Sequence, residues 1–220
     1  MRVWVWLVMG CLVSAQESDL TLVLLKTGPA TDLSESEMSE AMKGHFSNMK
    51  RLAEEGVLLM AGPLGPPRSD PSHRGLFIFN THDLDFAETR AATDPGVKAG
   101  VFVFTLHPMT TRDRLTELPR LEKEAQMQRE ADPEVPDEWQ GRAYFLASTP
   151  EIPASPIAGD ALLFQAKLDA FGPNGEPVWF MALDATTEEQ ARQIVGTDSP
   201  WTLHGWYGTK VLEQLGQKSD

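Results

Sequence analysis

The sequence predicts an α+β fold made of two tandem ferredoxin-like (βαββαβ) units. Three observations predict it. Short apolar or β-branched runs recur between Gly and Pro breakers, the signature of strands. Helix start and stop signals fall between the runs. The order of runs and breakers in the first half then returns in the second, which is the evidence that counts for a duplicated unit.

The first half runs Leu20–Lys26, Val57–Met60, Leu76–Asn80 and Val101–Leu106 as strands. Ser34-x-x-Glu37 forms a capping box that opens a long helix, and Gly56 closes it. Asp83 caps a second helix, which the Asp94-Pro95 step ends because a residue before proline is pushed out of helical geometry. In the second half the matching stretches are 142–150, 165–175, 176–191 and 195–211. Thr93-Asp94 aligns with Thr197-Asp198, Gly62-Pro63 with Gly172-Pro173, and Gly100 with Gly205 after a one-residue insertion. The second copy is degenerate. Between Pro29 and Gly62 lie 32 residues, but only 21 lie between Pro150 and Gly172, too few for the long helix.

The expected organisation is therefore residues 18–109 for the intact unit, 110–141 for a linker and 142–215 for the degenerate repeat. The linker is mostly charged. Its helical core at 119–131 has only a narrow apolar stripe at Leu118, Leu121 and Ala125, which reads as a solvated connecting helix. Residues 1–15 read as a signal peptide: Arg2, an apolar run from Val3 to Val13, and small residues before a cleavage after Ala15. That predicts an exported chain, periplasmic or secreted. Val8-Met9-Gly10-Cys11 gives the alternative of a lipoprotein signal ending before Cys11, hence an outer-membrane or envelope lipoprotein, and a membrane partner only if Cys11 is lipidated. Cys11 is the single cysteine, so no internal disulfide forms.

The net charge of −13 and the sequence pI of about 4.8 argue against nucleic acid as a partner, since an acidic surface repels phosphate backbones. There is no Walker motif, GxGxxG, GxSxG, HExxH or Cys/His cluster, so no cofactor and no metal is expected. The partner that remains is a small-molecule ligand.

On the first helix, Met38, Met42, His45, Met49 and Leu52 fall within about 60° of one direction at 100° per residue, the face that packs on the sheet. A histidine there is either a core residue bonded to a carbonyl or a group aimed at a substrate. Asp94, just past the second helix on the same face, needs a partner if buried, and His45 is the candidate. A carboxylate on one ring nitrogen fixes the tautomer and prepares the other for acid–base work.

These residues carry a resemblance. His45 in the first helix, Gly56, the "LLMAGP" strand with Gly62-Pro63, Asp94-Pro95 and Gly100 resemble the YCII (YciI-like) family from Leu20 to about Met109. The resemblance implies a dimeric α+β barrel of ferredoxin-like units with a His–Asp pair in a cleft, at His45 and Asp94 here. Many family members have no assigned reaction. One relative is a chloromuconolactone dehalogenase, and muconolactone isomerases have a similar fold. Two linked copies supply in one chain what the family achieves by dimerising, so an intramolecular pseudo-dimer is the simplest architecture, with a further homodimer left open. Trp179, Phe180, Trp201, Trp206 and Tyr207 then line the contact or the cleft, or simply fill the core.

The loop at 65–75 offers Arg68, His73 and Arg74, which read either as substrate-binding groups that grip a carboxylate or as a solvated hairpin. His82, His107 and His204 are scattered, and His204 falls outside the matched motif. Two functions follow. One is an enzyme of proton transfer, a lactone isomerase or a dehalogenase-like lyase. The other is a non-catalytic binding or interaction module of the cell envelope.

Overall fold

The computed structural model describes residues 17–132, 134, 139–152, 157, 161–172, 174–196 and 200–216. The strands are β1 (Ser18–Thr27), β2 (Leu58–Gly65), β3 (His73–Phe79), β4 (Phe102–Thr111), β5 (Gly141–Thr149), β6 (Leu162–Leu168), β7 (Val178–Leu183) and β8 (Thr202–Thr209). The helices are α1 (Glu35–Glu54), α2 (Leu84–Ala91), α3 (Pro95–Lys98), α4 (Leu118–Ala131), α5 (Glu188–Val195) and α6 (Glu213–Gly216). The eight strands form one closed antiparallel barrel in the order β1-β3-β2-β8-β5-β7-β6-β4. The signal-peptide and Cys11 expectations, and Thr197-Asp198, lie outside the described residues.

Closure explains the apolar runs. In β1, Leu20, Leu22 and Leu24 join the interior cluster, while Val23 and Leu25 pack outward beneath helices. A strand covered on both faces loses the clean alternation of a half-exposed one. Both halves contribute to the interior, Leu64, Ile78 and Met109 meeting Leu146, Phe164, Phe180 and Trp206. Outside, Leu52 of α1 and Ala87 and Ala91 of α2 cover Phe77 and Phe79. On the other half, Ala191 of α5 with Trp201 and Ile157 covers Phe145, Met181 and Leu183.

Register relates the halves more closely than the sequence does. Leu58 pairs with Phe79 and Leu162 with Leu183, and each pairing is followed by the same irregularity, before Met60 and before Phe164. Across the seams, Leu64 pairs with Trp206 and Leu168 with Met109. These pairings equate Gly62 with Ala166, His107 with His204 and Pro108 with Gly205. The alignment of Gly62-Pro63 with Gly172-Pro173, and of Gly100 with Gly205, is thus corrected. Gly172 follows β6 rather than lying in it, because turns reuse glycine wherever they fall while pairing follows the buried side chains.

The linker helix also differs from expectation. Its charged face is solvated, but Leu118 and Leu121, with Ala125 against them, pack into the interior cluster beside Leu115, Val211 and Leu212. The segment closes the barrel end where β4 and β8 finish. Of the second-half aromatics, Phe180 and Trp206 are core, Trp179 and Trp201 are partly buried, and Tyr207 is exposed.

Candidate active site

α1 starts as its capping box requires: Glu37 N–H donates to Ser34 Oγ at 3.3 Å and the Ser34 N–H donates to Glu37 Oε2 at 2.8 Å. Its buried stripe is Ala41, His45, Asn48 and Leu52. The methionine face expected around His45 is rotated outward, leaving Met38 exposed and Met42 and Met49 half-buried. A close approach causes the rotation. A Cβ on Gly44 would stand 2.7 Å from the Pro95 ring, so only glycine lets α1 descend on the Asp94-Pro95 turn.

That descent brings His45 Nδ1 within 2.7 Å of Asp94 Oδ2. Asp94 is 0% exposed and His45 7%. The carboxylate's other oxygen, Oδ1, accepts the Gly96 N–H at 2.7 Å, which also caps α3. An ionised carboxylate only accepts, so Nδ1 carries the proton in this contact, and the neutral tautomer compatible with it has its lone pair on Nε2. Nε2 makes no hydrogen bond with a described residue, and it is not among the buried polar atoms left without a partner.

The ring is held by aromatics. Phe77 stacks on it at 5.8 Å, Phe102 tilts against it at 5.2 Å and Phe46 meets it edge-on at 5.4 Å. Phe46 is itself 60% exposed. Beside the pair runs a polar seam that sequence reasoning missed. Thr93 Oγ donates to Asn48 Oδ1 at 3.1 Å, and Arg51 Nη2 donates to the same oxygen at 2.7 Å and to Thr93 Oγ at 3.0 Å. The signal was available: Asn48 lies one turn past His45, and Thr93 precedes Asp94.

Arg68, His73 and Arg74 go elsewhere. Arg68 Nη1 donates to the His73 carbonyl at 2.9 Å, and Arg74 Nε to Thr27 Oγ at 2.7 Å. His73 lines the barrel interior with Leu22, Leu24 and Leu76, on the sheet face opposite the one His45 packs on. None of the three hydrogen-bonds to His45 or Asp94. Among the described residues no group of three or more His, Cys, Asp or Glu is placed to hold a metal ion. No helix of the described residues is long and apolar enough to cross a membrane. A groove of about 920 Å³ runs between α4 and the C-terminal turn, lined by Arg120, Arg129, Lys210 and Glu213, and it does not include His45.

The stretch that builds this geometry, from β1 to β4, is also the stretch that matches a known family model, at residues 20–109. This chain contains a YCII-related domain. The YCII family has a dimeric α+β barrel type of fold, consistent with the antiparallel barrel here. Within the YCII-related domain, α1 supplies His45 and the α2–α3 turn supplies Asp94. No curated protein matches the chain.

Proposed function

We propose that this protein is a small-molecule enzyme whose reaction is a proton transfer, with His45 as general acid–base and Asp94 as its positioning residue. The observation that carries the reading is the 2.7 Å Nδ1–Oδ2 contact with Nε2 uncommitted. In a lactone isomerisation, Nε2 takes a proton from the carbon beside the carbonyl and returns it to another carbon. In an elimination, the same abstraction expels a leaving group as its anion. Asp94 holds the tautomer that keeps the Nε2 lone pair free and balances the imidazolium formed midway.

We further propose that the barrel is an internal pseudo-dimer of two ferredoxin-like units, the second with no His–Asp pair among its described residues, and that residues 1–15 direct export. The equivalent registers in the two halves support the first. N-terminal sequencing of the mature protein tests the second: a start at Gln16 supports it, and an intact Met1 or Arg2 overturns it.

The test of function is a screen of unsaturated and halogenated lactones with the wild type, His45→Gln and Asp94→Asn. Turnover in the wild type, lost in His45→Gln and reduced by roughly 10²–10⁴ in Asp94→Asn, is the expected result. Turnover unchanged in His45→Gln overturns it. A second reading, a non-catalytic binding or interaction module, is favoured by the enclosure of the His45 ring by Phe46, Phe77 and Phe102. It expects both substitutions to alter stability alone.

A further inference from the structure

Three contacts hold the turn that carries Asp94 against α1, and the His45–Asp94 pair is only the middle one. On one side Gly44 stands against the Pro95 ring. On the other lie Asn48, Arg51 and Glu55, three, six and ten positions past His45. At 100° per residue these three fall within about 60° of one another, on the flank of α1 that meets the end of α2.

Arg51 is the hub. Its Nη2 donates to Asn48 Oδ1 at 2.7 Å and to Thr93 Oγ at 3.0 Å, across 42 residues of sequence. Its Nη1 donates to Glu55 Oε1, and Glu55 Oε2 pairs with Arg90 Nη1 at 3.3 Å. Arg90 lies in the last turn of α2, and its carbonyl accepts from the Thr93 N–H at 3.2 Å. The Thr93 hydroxyl stands 2.7 Å from that carbonyl and 3.1 Å from Asn48 Oδ1, with one proton to give. A guanidinium is always charged and presents its donors as a rigid planar fork, so it holds several oxygens at fixed separations. Here the oxygens belong to both sides of the contact, Asn48 and Glu55 to the end of α1 and Thr93 to the turn.

Asn48 is the informative member. It is 8% exposed, and its Nδ2 is buried without a partner. An unpaired buried donor costs stability, a cost that an apolar side chain at this position avoids. The amide is held through Oδ1, by Arg51 and Thr93. Thr93 is joined directly to Asp94, whose own N–H donates to the Ala91 carbonyl at 3.1 Å, so a shift of Thr93 is carried to the carboxylate.

We propose that Arg51 is a positioning residue for the His45–Asp94 pair, with Asn48 and Thr93 as the points it joins and Glu55 as the group that orients it. Removing it frees the turn on the side away from Gly44, and Asp94 withdraws from Nδ1. The tautomer of His45 is set by that bond. A loosened pair lets the neutral ring carry its proton on Nε2, where it leaves no lone pair to take a proton from a substrate. The consequence for catalysis rests on the acid–base reading of His45; the positioning itself does not.

Two-bond ¹H–¹⁵N spectra of the ¹⁵N-histidine-labelled full chain, at about pH 8.5 where an ordinary histidine is neutral, report the His45 tautomer with no substrate present. The His45 signals are assigned by their loss in His45→Gln. Arg51→Met should lower the ratio of Nδ1–H to Nε2–H by roughly fivefold or more, the scale of one lost charged hydrogen bond. Arg51→Lys, which keeps the charge but not the fork, should lie between. Thr93→Val should follow Arg51→Met, and Thr93→Ser, which keeps the hydroxyl, should match the wild type; this pair carries the test if Arg51→Met fails to fold. Lys50→Met is the control, since Lys50 neighbours Arg51 but its ion pair is with Glu54, 3.9 Å away on the exposed face. A ratio unchanged in both Arg51→Met and Thr93→Val overturns the proposal. So does an equal change in Lys50→Met, the mark of a general effect of helix charge. With a substrate from the lactone screen, Arg51→Met should also reduce kcat by roughly tenfold or more at unchanged KM; a raised KM at unchanged kcat overturns it. The tautomer is read without turnover, so this proposal and the acid–base reading fail separately.

Discussion

The two halves of the barrel run their strands in the same order, yet they cover their outer faces with different material. The first lays the 20-residue α1 across the sheet and tucks α2 and α3 beside it, so a histidine and an aspartate meet in an aromatic layer. Among the described residues the second has the eight-residue α5, with Ile157 and Trp201 packed beside it, and no helix is described between β5 and β6. A buried polar pair needs two elements brought into register over the sheet. Where no such helix is described, the described side chains in that outer layer are apolar.

The largest effect should come from removing the anchor of that long helix. Leu52 is fully buried on α1, and Leu52→Ala should destabilise the protein by about 2–5 kcal/mol in urea unfolding. If the loss is below the cost of Ala191→Gly on α5, the helix matters less to its half than the packing implies.

The seams give the next contrast. Burial first, and the neighbouring His73 second, press the His204 imidazole down to about 4. Between the ordinary histidine value and that value, the unfolded chain binds a proton that the native chain refuses. Stability is thus full above about pH 6.5 and falls as pH drops toward 4, by about 3 kcal/mol for a shift of this size. Burial also lowers His107, but its Ala170 bond works the other way. His204→Phe should flatten the acid limb more than His107→Phe; equal flattening would erase the difference between the seams.

Smaller still is the cost of separating the polar pair. Asp94→Ala leaves His45 Nδ1 without a buried partner and strips the Gly96 N–H of its acceptor, at about 1–3 kcal/mol. Gly44→Ala tests the same contact from the other side. Alanine favours the helix, but the Pro95 collision should lift α1 and lengthen the pair, visible as a changed His45 tautomer in ¹⁵N spectra. An unchanged tautomer with raised stability would show that α1 has slack.

The smallest effect compares the two capping boxes. Ser34→Ala and Thr187→Ala each remove a side chain that accepts from the third helical residue, and each should cost about 1 kcal/mol. A much larger loss at Thr187 would mean that the short helix depends on its cap where the long one depends on its packing.

Much of this was legible in the residues. Both strands and helices of the first half fall where its breakers and caps indicate, and His45 and Asp94 could be paired because helical phase and a turn position are local properties. The rotation of α1 was not legible. It depends on Gly44 meeting Pro95, two residues distant in sequence whose contact has no local signature. The asymmetry of His107 and His204 was hidden for the same reason, since it rests on which strand faces which across the closed barrel.

By itself, then, the sequence determined the order of elements, the caps, the two-sided apolar strands and the acidic character of the chain, because these follow from composition and short-range spacing. Only the tertiary structure decided that the sheet closes, that the linker's narrow stripe plugs one end, and that His73 stands on the opposite side of the sheet from His45. Those outcomes come from strand registers and close backbone approaches between residues far apart in the chain, where the energy of a contact depends on geometry that no local pattern encodes.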